Sequence, residues 1–171
     1  VKQLCFRITL AILALQAITL LPSVVTAQFY PRISKRFGET HSYAALRPLL
    51  LTTLKASSAM IIPFGLLIFF LIKPLTYLFL PDYTEGVSAA LIVIAGVTLS
   101  RPVAGTAATF LNAIGKARWY LRVQAMIIVV QLALTIGAIR LGWGLNGVAS
   151  GVAVTQVINM LSLGGLVIYS M

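Results

Sequence analysis

The sequence predicts an all-α protein, a polytopic bundle of transmembrane helices with about five spans. Three observations predict it. Of the 171 residues, 60% are hydrophobic and only 9% charged, with a mean hydropathy of +1.01. Soluble domains carry about 25% charged residues, so this chain has too few charges to cover a soluble globule. Second, the apolar residues gather in five runs, each long enough to cross about 30 Å of hydrocarbon at about 1.5 Å per residue. Third, the basic residues fall mainly between those runs. The net charge of +10, from 13 Lys and Arg against three acids, would suggest nucleic acid in a soluble protein. In short loops between apolar runs it is explained by the positive-inside rule and by anionic membrane lipids, so no nucleic-acid partner is expected.

The first span is Ile8 to Phe29, carrying Pro22. A rival reading makes this stretch a signal peptide, with Lys2 and Arg7 ahead of an apolar run and Val25-Thr26-Ala27 as the cleavage site. Cleavage there would leave the most basic loop outside, so the span is the better reading. Cys5 is the one cysteine; no internal disulfide can form, and it reads as a small apolar residue. A basic loop follows, Pro31-Arg32-Ile33-Ser34-Lys35-Arg36. Residues 38 to 55 read as a cap, with Thr40 or Ser42 supplying the oxygen, and then a helix that starts along the interface and runs into the second span. His41 falls in this loop and reads as a solvated histidine, since no other His or Cys is near it.

The second span is Ala56 to Ile72 with Pro63, and Leu75 to Tyr83 reads as an aromatic outer-interface anchor and turn. The third span, Gly86 to Leu111, holds Arg101 and Pro102. The fourth is Trp119 to Leu141 and the fifth Leu145 to Ile168. Membrane helices tolerate such prolines because neighbours satisfy the freed carbonyls. Gly147-x-x-x-Gly151 predicts close packing of the fifth helix on the fourth, across the short turn Gly142-Trp143-Gly144. No internal repeat divides the chain, so residues 1 to 171 read as one membrane domain. It starts with valine and runs almost directly into an apolar segment, which reads as part of a longer protein.

Charge sets the orientation. Arg32, Lys35, Arg36, Arg47 and Lys55 precede the second span, and Lys116, Arg118 and Arg122 follow the third. All fall on one side, expected to be cytoplasmic. The other side holds Lys73, Arg140, Asp82 and Glu85. Lys2 and Arg7 also fall there, a mild conflict that upstream helices would remove.

Arg101 is the most informative residue, a lone charge in the middle of an apolar run. A charge near the bilayer midplane is costly, so it normally faces a protein interior or a hydrated cavity and marks a substrate path. Polar residues occur at similar depth elsewhere: Gln16 on the first span, Gln131 on the fourth, and Gln156 with Asn159 on the fifth. Gln156 and Asn159 are three apart and share a helix face. Thr98, Ser100 and Thr106 accompany Arg101. Taken singly, each glutamine reads as interhelical glue worth about 1 kcal/mol or less; together they suggest helices converging on one hydrated interior. Arginine holds its charge at any accessible pH and grips phosphate in a bidentate fork. Arg101, Gln131, Gln156, Asn159 and Gln16 are therefore the candidate substrate-binding set, for an anionic headgroup. No paired carboxylates, phosphate loop or metal-ligand cluster occurs, so neither an enzyme, a metal nor a cofactor is expected.

Five short stretches, in order, carry a family likeness: Phe29-Tyr30-Pro31-Arg32-Ile33-Ser34-Lys35; Pro63-Phe64-Gly65-Leu66; Leu78-Phe79-Leu80-Pro81-Asp82-Tyr83; Phe110-Leu111-Asn112-Ala113-Ile114-Gly115-Lys116; and Leu141-Gly142-Trp143-Gly144-Leu145-Asn146-Gly147-Val148-Ala149. In these the chain resembles the polysaccharide biosynthesis, or oligosaccharide flippase, family of the multidrug/oligosaccharidyl-lipid/polysaccharide exporter superfamily. The likeness covers nearly the whole chain and agrees with the orientation set by charge. That family has two homologous helical lobes, and this chain is similar to the C-terminal lobe without its first helix.

The resemblance implies one lobe of a two-lobe flippase in a bacterial cytoplasmic (inner) membrane, moving polyprenyl-pyrophosphate-linked oligosaccharide for lipopolysaccharide or exopolysaccharide synthesis. It also implies partners: the missing N-terminal lobe of the same protein, a polysaccharide polymerase and glycosyltransferases. One alternative is a cation-coupled multidrug exporter of the same superfamily, which would want a membrane carboxylate that these spans lack. Another is a non-transporting scaffold of a polysaccharide assembly complex, in which Arg101 would be silent.

Overall fold

The computed structural model of the chain describes residues 27–40, 42, 44–79 and 86–170. Among them there are only helices and short connections. Helix α1 covers residues 27–40. A 3-10 turn, Ala44–Leu46, leads into α2 (Arg47–Phe79), followed by α3 (Val87–Ala113), α4 (Ala117–Arg140) and α5 (Gly144–Ser170). The last four are long and apolar enough to cross a membrane. Even α4, with 24 residues, measures about 36 Å at about 1.5 Å per residue, against a hydrocarbon core of about 30 Å. The chain is an all-α helical bundle with the helices of a membrane protein. The expected first span, Ile8 to Phe29, lies outside the described residues up to position 26, as do Cys5, Gln16 and His41.

Two boundaries differ from expectation. The basic stretch after Tyr30 is helical rather than a loop. Phe29, Ile33 and Phe37 recur every four residues and pack into the core, with Ile33 fully buried, while Arg32, Lys35, Arg36 and Glu39 stay exposed. This is an amphipathic helix whose charge density masks its period. Thr40 belongs to it: its hydroxyl donates to the Arg36 carbonyl at 2.7 Å, and Ser42 N–H reaches Thr40 Oγ1 only at 3.5 Å. Thr40 thus closes α1 instead of capping the next helix. The second difference is at the far end of α2, in which, as expected, the interfacial helix runs on into the second span as one continuous element, carrying Pro63 and Pro74. Leu75 to Phe79, expected as the outer anchor and turn, form its last residues; positions 80–85 lie outside the described residues.

The four long helices pack in the order α2, α3, α5, α4, with α3 most extensively on α5 and only slightly on α4. Small residues set the close crossings. A Cβ built on Gly96 would sit 2.9 Å from both Cα and Cβ of Ala153, so α3 and α5 meet backbone to backbone there. Gly65 of α2 lies directly against the Thr98 side chain of α3. Along the α4–α5 seam, a Cβ on Gly151 would lie 3.4 Å from Leu134 Cβ, and one on Gly147 3.4 Å from Ala138 Cβ. The expected use of Gly147 and Gly151 against the fourth helix is what the structure has.

The two connections flanking α4 share one design. After α3, Lys116 N–H bonds the Leu111 carbonyl at 2.9 Å and Gly115 N–H the Asn112 carbonyl at 3.3 Å, with Gly115 at φ 77°. After α4, Trp143 N–H bonds the Ala138 carbonyl at 3.0 Å and Gly142 N–H the Ile139 carbonyl at 3.1 Å, with Gly142 at φ 70°. Both are Schellman endings, which need a left-handed residue and so select glycine. They reverse the chain sharply at each end of α4, so that α4 runs antiparallel to both α3 and α5. The main buried cluster sits at the α3–α4 turn end, where Phe110, Leu111 and Ile114 meet Leu163, Val167, Leu46 and Ile33. That end also carries α1, so the structure gathers the basic residues of α1, of the start of α2 and of the α3–α4 turn at one end of the bundle.

Candidate functional site

Because α3 and α4 each pack on α5 but hardly on each other, a cleft opens between them with α5 as its floor. Its volume is about 220 Å³. The α3 wall presents Arg101, Ala104, Gly105 and Ala108, one face of a helix in which three small residues follow the arginine. The α4 wall presents Tyr120, Gln124, Ile127, Ile128 and Gln131, again one face. The floor is Gln156 and Asn159. Side chains three and four apart share a helix face, so each wall is a single stripe.

Four of the five candidate residues, Arg101, Gln131, Gln156 and Asn159, line this one cleft. The fifth, Gln16, lies outside the described residues. Depth agrees as well. Counting about 1.5 Å per residue, Arg101 is about 20 Å from either end of α3, and Gln131 and Gln156 lie about 20 Å from the ends of their helices nearest the α3–α4 turn. From that level the cleft runs toward the turn, past Gln124, to Ala108 and Tyr120.

Thr98, Ser100 and Thr106 do not line the cleft; they are buried in α3. Ser100 Oγ donates to the Gly96 carbonyl at 2.8 Å, and Thr106 Oγ1 donates to the Pro102 carbonyl at 2.7 Å. Thr98 is the surface on which Gly65 rests. These three serve the helix and its packing. Pro102, also buried, carries no N–H, so the Thr98 carbonyl one turn earlier loses its usual donor.

Gln124 and Tyr120 are cleft residues that the apolar-run reading overlooked. Depth alone set the search, and both lie nearer a helix end. The signal was the spacing Tyr120, Gln124, Gln131, which falls on one face of α4.

Among the described residues, Arg101 is the only charged one in the lining and is exposed to the cleft, and no carboxylate lines it. The remaining polar lining is phenol and amide, which donates and accepts hydrogen bonds without charge. Asn159 is 9% exposed, and its Oδ1 is buried with no hydrogen-bond partner among the described residues. Among the described residues no group of His, Cys, Asp and Glu could hold a metal ion. The cleft can therefore hold an anion at mid-depth, surrounded by neutral hydrogen-bonding groups. No protein-family model, curated protein or solved structure matches the chain.

Proposed function

We propose that this chain is part of a membrane carrier that flips polyprenyl-pyrophosphate-linked oligosaccharide across the bacterial cytoplasmic membrane for surface polysaccharide synthesis. The observation that carries the reading is Arg101. Its guanidinium opens into a cleft at mid-depth beside Gln131, Gln156 and Asn159, with no carboxylate in the lining among the described residues. A fixed cation in a neutral polar surround favours an anionic headgroup, because no described lining residue cancels its charge and low-dielectric walls strengthen its field. The basic end of the bundle is the entry side and faces the cytoplasm. Arg32, Arg36, Arg47 and Arg118 are exposed there, where they attract anionic headgroups toward the turn end of the cleft. The multidrug alternative wants a carboxylate for a cationic drug or coupling ion, and the described lining of the cleft holds none.

The test is complementation of a flippase-deficient strain by the full-length protein, with protein level measured alongside. Arg101→Ala and Arg101→Gln abolish surface polysaccharide while the protein accumulates normally, since an intramembrane charge has been removed. Arg101→Lys keeps part of the activity, because it keeps the charge and loses the bidentate fork. Full activity of Arg101→Ala at equal protein level would leave Arg101 a packing residue and favour the scaffold alternative. Orientation is tested separately with single cysteines in a background lacking Cys5. An impermeant thiol reagent applied outside should label a cysteine at Leu141 and spare one at Glu39.

A further inference from the structure

We infer that the outer face of α4 holds an anionic phospholipid of the surrounding bilayer, with Arg122, stacked on Trp119, gripping its phosphate and its acyl chain lying along Met126 and Val129. The inference goes beyond the carrier reading and does not depend on it.

The face is set by the sequence of α4. Arg122, Met126, Val129, Ala133, Ile136 and Arg140 recur at spacings of four and three, so they form one stripe, and all six are exposed. Gln131 follows Arg122 by nine residues, about two and a half turns at about 3.6 residues per turn, so the cleft lies on the opposite side of the helix. Between its two arginines the stripe is apolar. From position 122 to position 140 it measures about 27 Å at about 1.5 Å per residue. A hydrocarbon core is about 30 Å thick, so Arg122 and Arg140 stand at its two edges.

Trp119 lies one turn beyond Arg122, at the headgroup level where half-exposed indoles anchor membrane helices. Helical side chains lean toward the N-terminus of their helix, which here carries the Arg122 guanidinium up from the hydrocarbon edge. Its Cζ sits 5.2 Å from the centre of the Trp119 ring. Stacked in this way, the planar group has one face covered and its N–H edge free, the shape that takes a phosphate in a bidentate fork. Arg118 adds a second exposed cation at the same level.

The charge has no counterpart within the described residues. Helix α4 contains no Asp or Glu, and Glu39, the one acid among the described residues, pairs with Lys35 at 3.9 Å. A zwitterionic headgroup would bring an ammonium group that no described carboxylate receives; an anionic one brings only acceptors and hydroxyls. Any positive surface draws anionic lipid diffusely. What α4 adds is a guanidinium held in one orientation above an apolar track. Lysine at position 122 would keep the charge and lose the fork and the planar stacking.

The experiment is quenching of Trp119 fluorescence by brominated lipid in the full-length protein, with Trp143 and every other tryptophan replaced by Phe. The protein is reconstituted in phosphatidylcholine vesicles carrying either brominated phosphatidylglycerol or brominated phosphatidylcholine at equal mole fraction. Brominated phosphatidylglycerol should occupy the site at least about fivefold better, the ratio that about 1 kcal/mol for one arginine at the membrane surface makes. Arg122→Gln should abolish this preference and Arg122→Lys should keep only part of it. Arg140→Gln, at the far end of the stripe, should leave it unchanged. Equal quenching by the two lipids would overturn the inference. So would an undiminished preference in Arg122→Lys, which would reduce the contact to diffuse surface charge. Neither result touches the carrier reading, which complementation by the Arg101 variants decides separately.

Discussion

Helices α3 and α4 are opposite walls of one cleft, yet they are held in different ways. Twelve residues of α3 are buried, spread along its whole length. Only Ile127 and Ala138 of α4 are. The α3 wall is clamped from two sides, by Ala153 of α5 against Gly96 and by Gly65 of α2 against Thr98. The α4 wall touches α5 along the Gly147–Gly151 seam and turns most of its apolar side chains outward, among them Met126, Val129, Leu132 and Ile136. In a bilayer, lipid tails are as apolar as those side chains, so no hydrophobic force presses α4 inward and close packing has to hold it. The wall bearing the charge is thus the rigid one. On the proposed carrier reading, a fixed guanidinium needs no reorganisation to meet an anion, while the opposite wall, with its amides and Tyr120, can adjust around it.

The largest effect follows from the α3–α5 crossing. In Gly96→Val the first added carbon would already lie 2.9 Å from the Cα of Ala153, and backbone cannot swing aside as a side-chain tip can. Overpacking in a tight core costs about 1–3 kcal/mol, and more where backbone must separate. The expected outcome is loss of monodisperse protein on size-exclusion chromatography in detergent. A variant that purifies normally with an unchanged melting point would mean that α3 is not clamped, and the contrast between the walls would go with it.

The intermediate case separates glue from site on α4. If Gln131 and Gln124 hold helices together, Gln131→Leu and Gln124→Leu should destabilise the protein by about 0.6 kcal/mol each, the average for interhelical hydrogen bonds in a membrane. Neither residue has a side-chain hydrogen bond to another helix among those the structure records, and both face the cleft. The expected outcome is an unchanged melting point with complementation reduced about tenfold, the weight of one hydrogen bond to ligand of roughly 1.4 kcal/mol. Destabilisation with full complementation would make α4 a structural wall only.

How far the molecule could be read from its sequence differs along the chain for physical reasons. Long apolar runs are unambiguous, because every backbone group in hydrocarbon must bond within its own helix. The helices α3, α4 and α5 accordingly lie where the runs predicted them. The cleft was legible in part for a related reason: polar residues are so rare in such runs that Arg101, Gln131, Gln156 and Asn159 stand out, and helical depth alone brings them to one level. Helix α1 was not legible as a helix, because its charges satisfied the rule for loops while Phe29, Ile33 and Phe37 carried a period that this rule ignores. The roles of Thr98, Ser100 and Thr106 were not legible either. A hydroxyl that bonds its own helix and one that faces a cavity look alike in sequence, and only the arrangement of neighbours distinguishes them. Gln124 and Tyr120 were missed because the search was by depth rather than by face.

The smallest effect is expected at the α4–α5 seam, and it bears most directly on the contrast between the walls. In Gly151→Ala the new methyl would lie 3.4 Å from Leu134 Cβ and 3.8 Å from the Leu134 carbonyl carbon, tight but short of a collision. Leu134 is 38% exposed, and α4 is little constrained on its outer side, so the wall can yield by a few tenths of an ångström. Against that strain, alanine is a better helix residue than glycine by about 0.8–1.0 kcal/mol. The two terms oppose each other and are of similar size, so the net change should stay within about 1 kcal/mol. For a domain of this length that is a shift in melting point of no more than about 4 °C. Thermal unfolding of the variant beside Gly96→Val measures the asymmetry on one scale. Collapse of Gly151→Ala as severe as that of Gly96→Val would show α4 gripped as firmly as α3, and the picture of one rigid and one yielding wall would have to be given up.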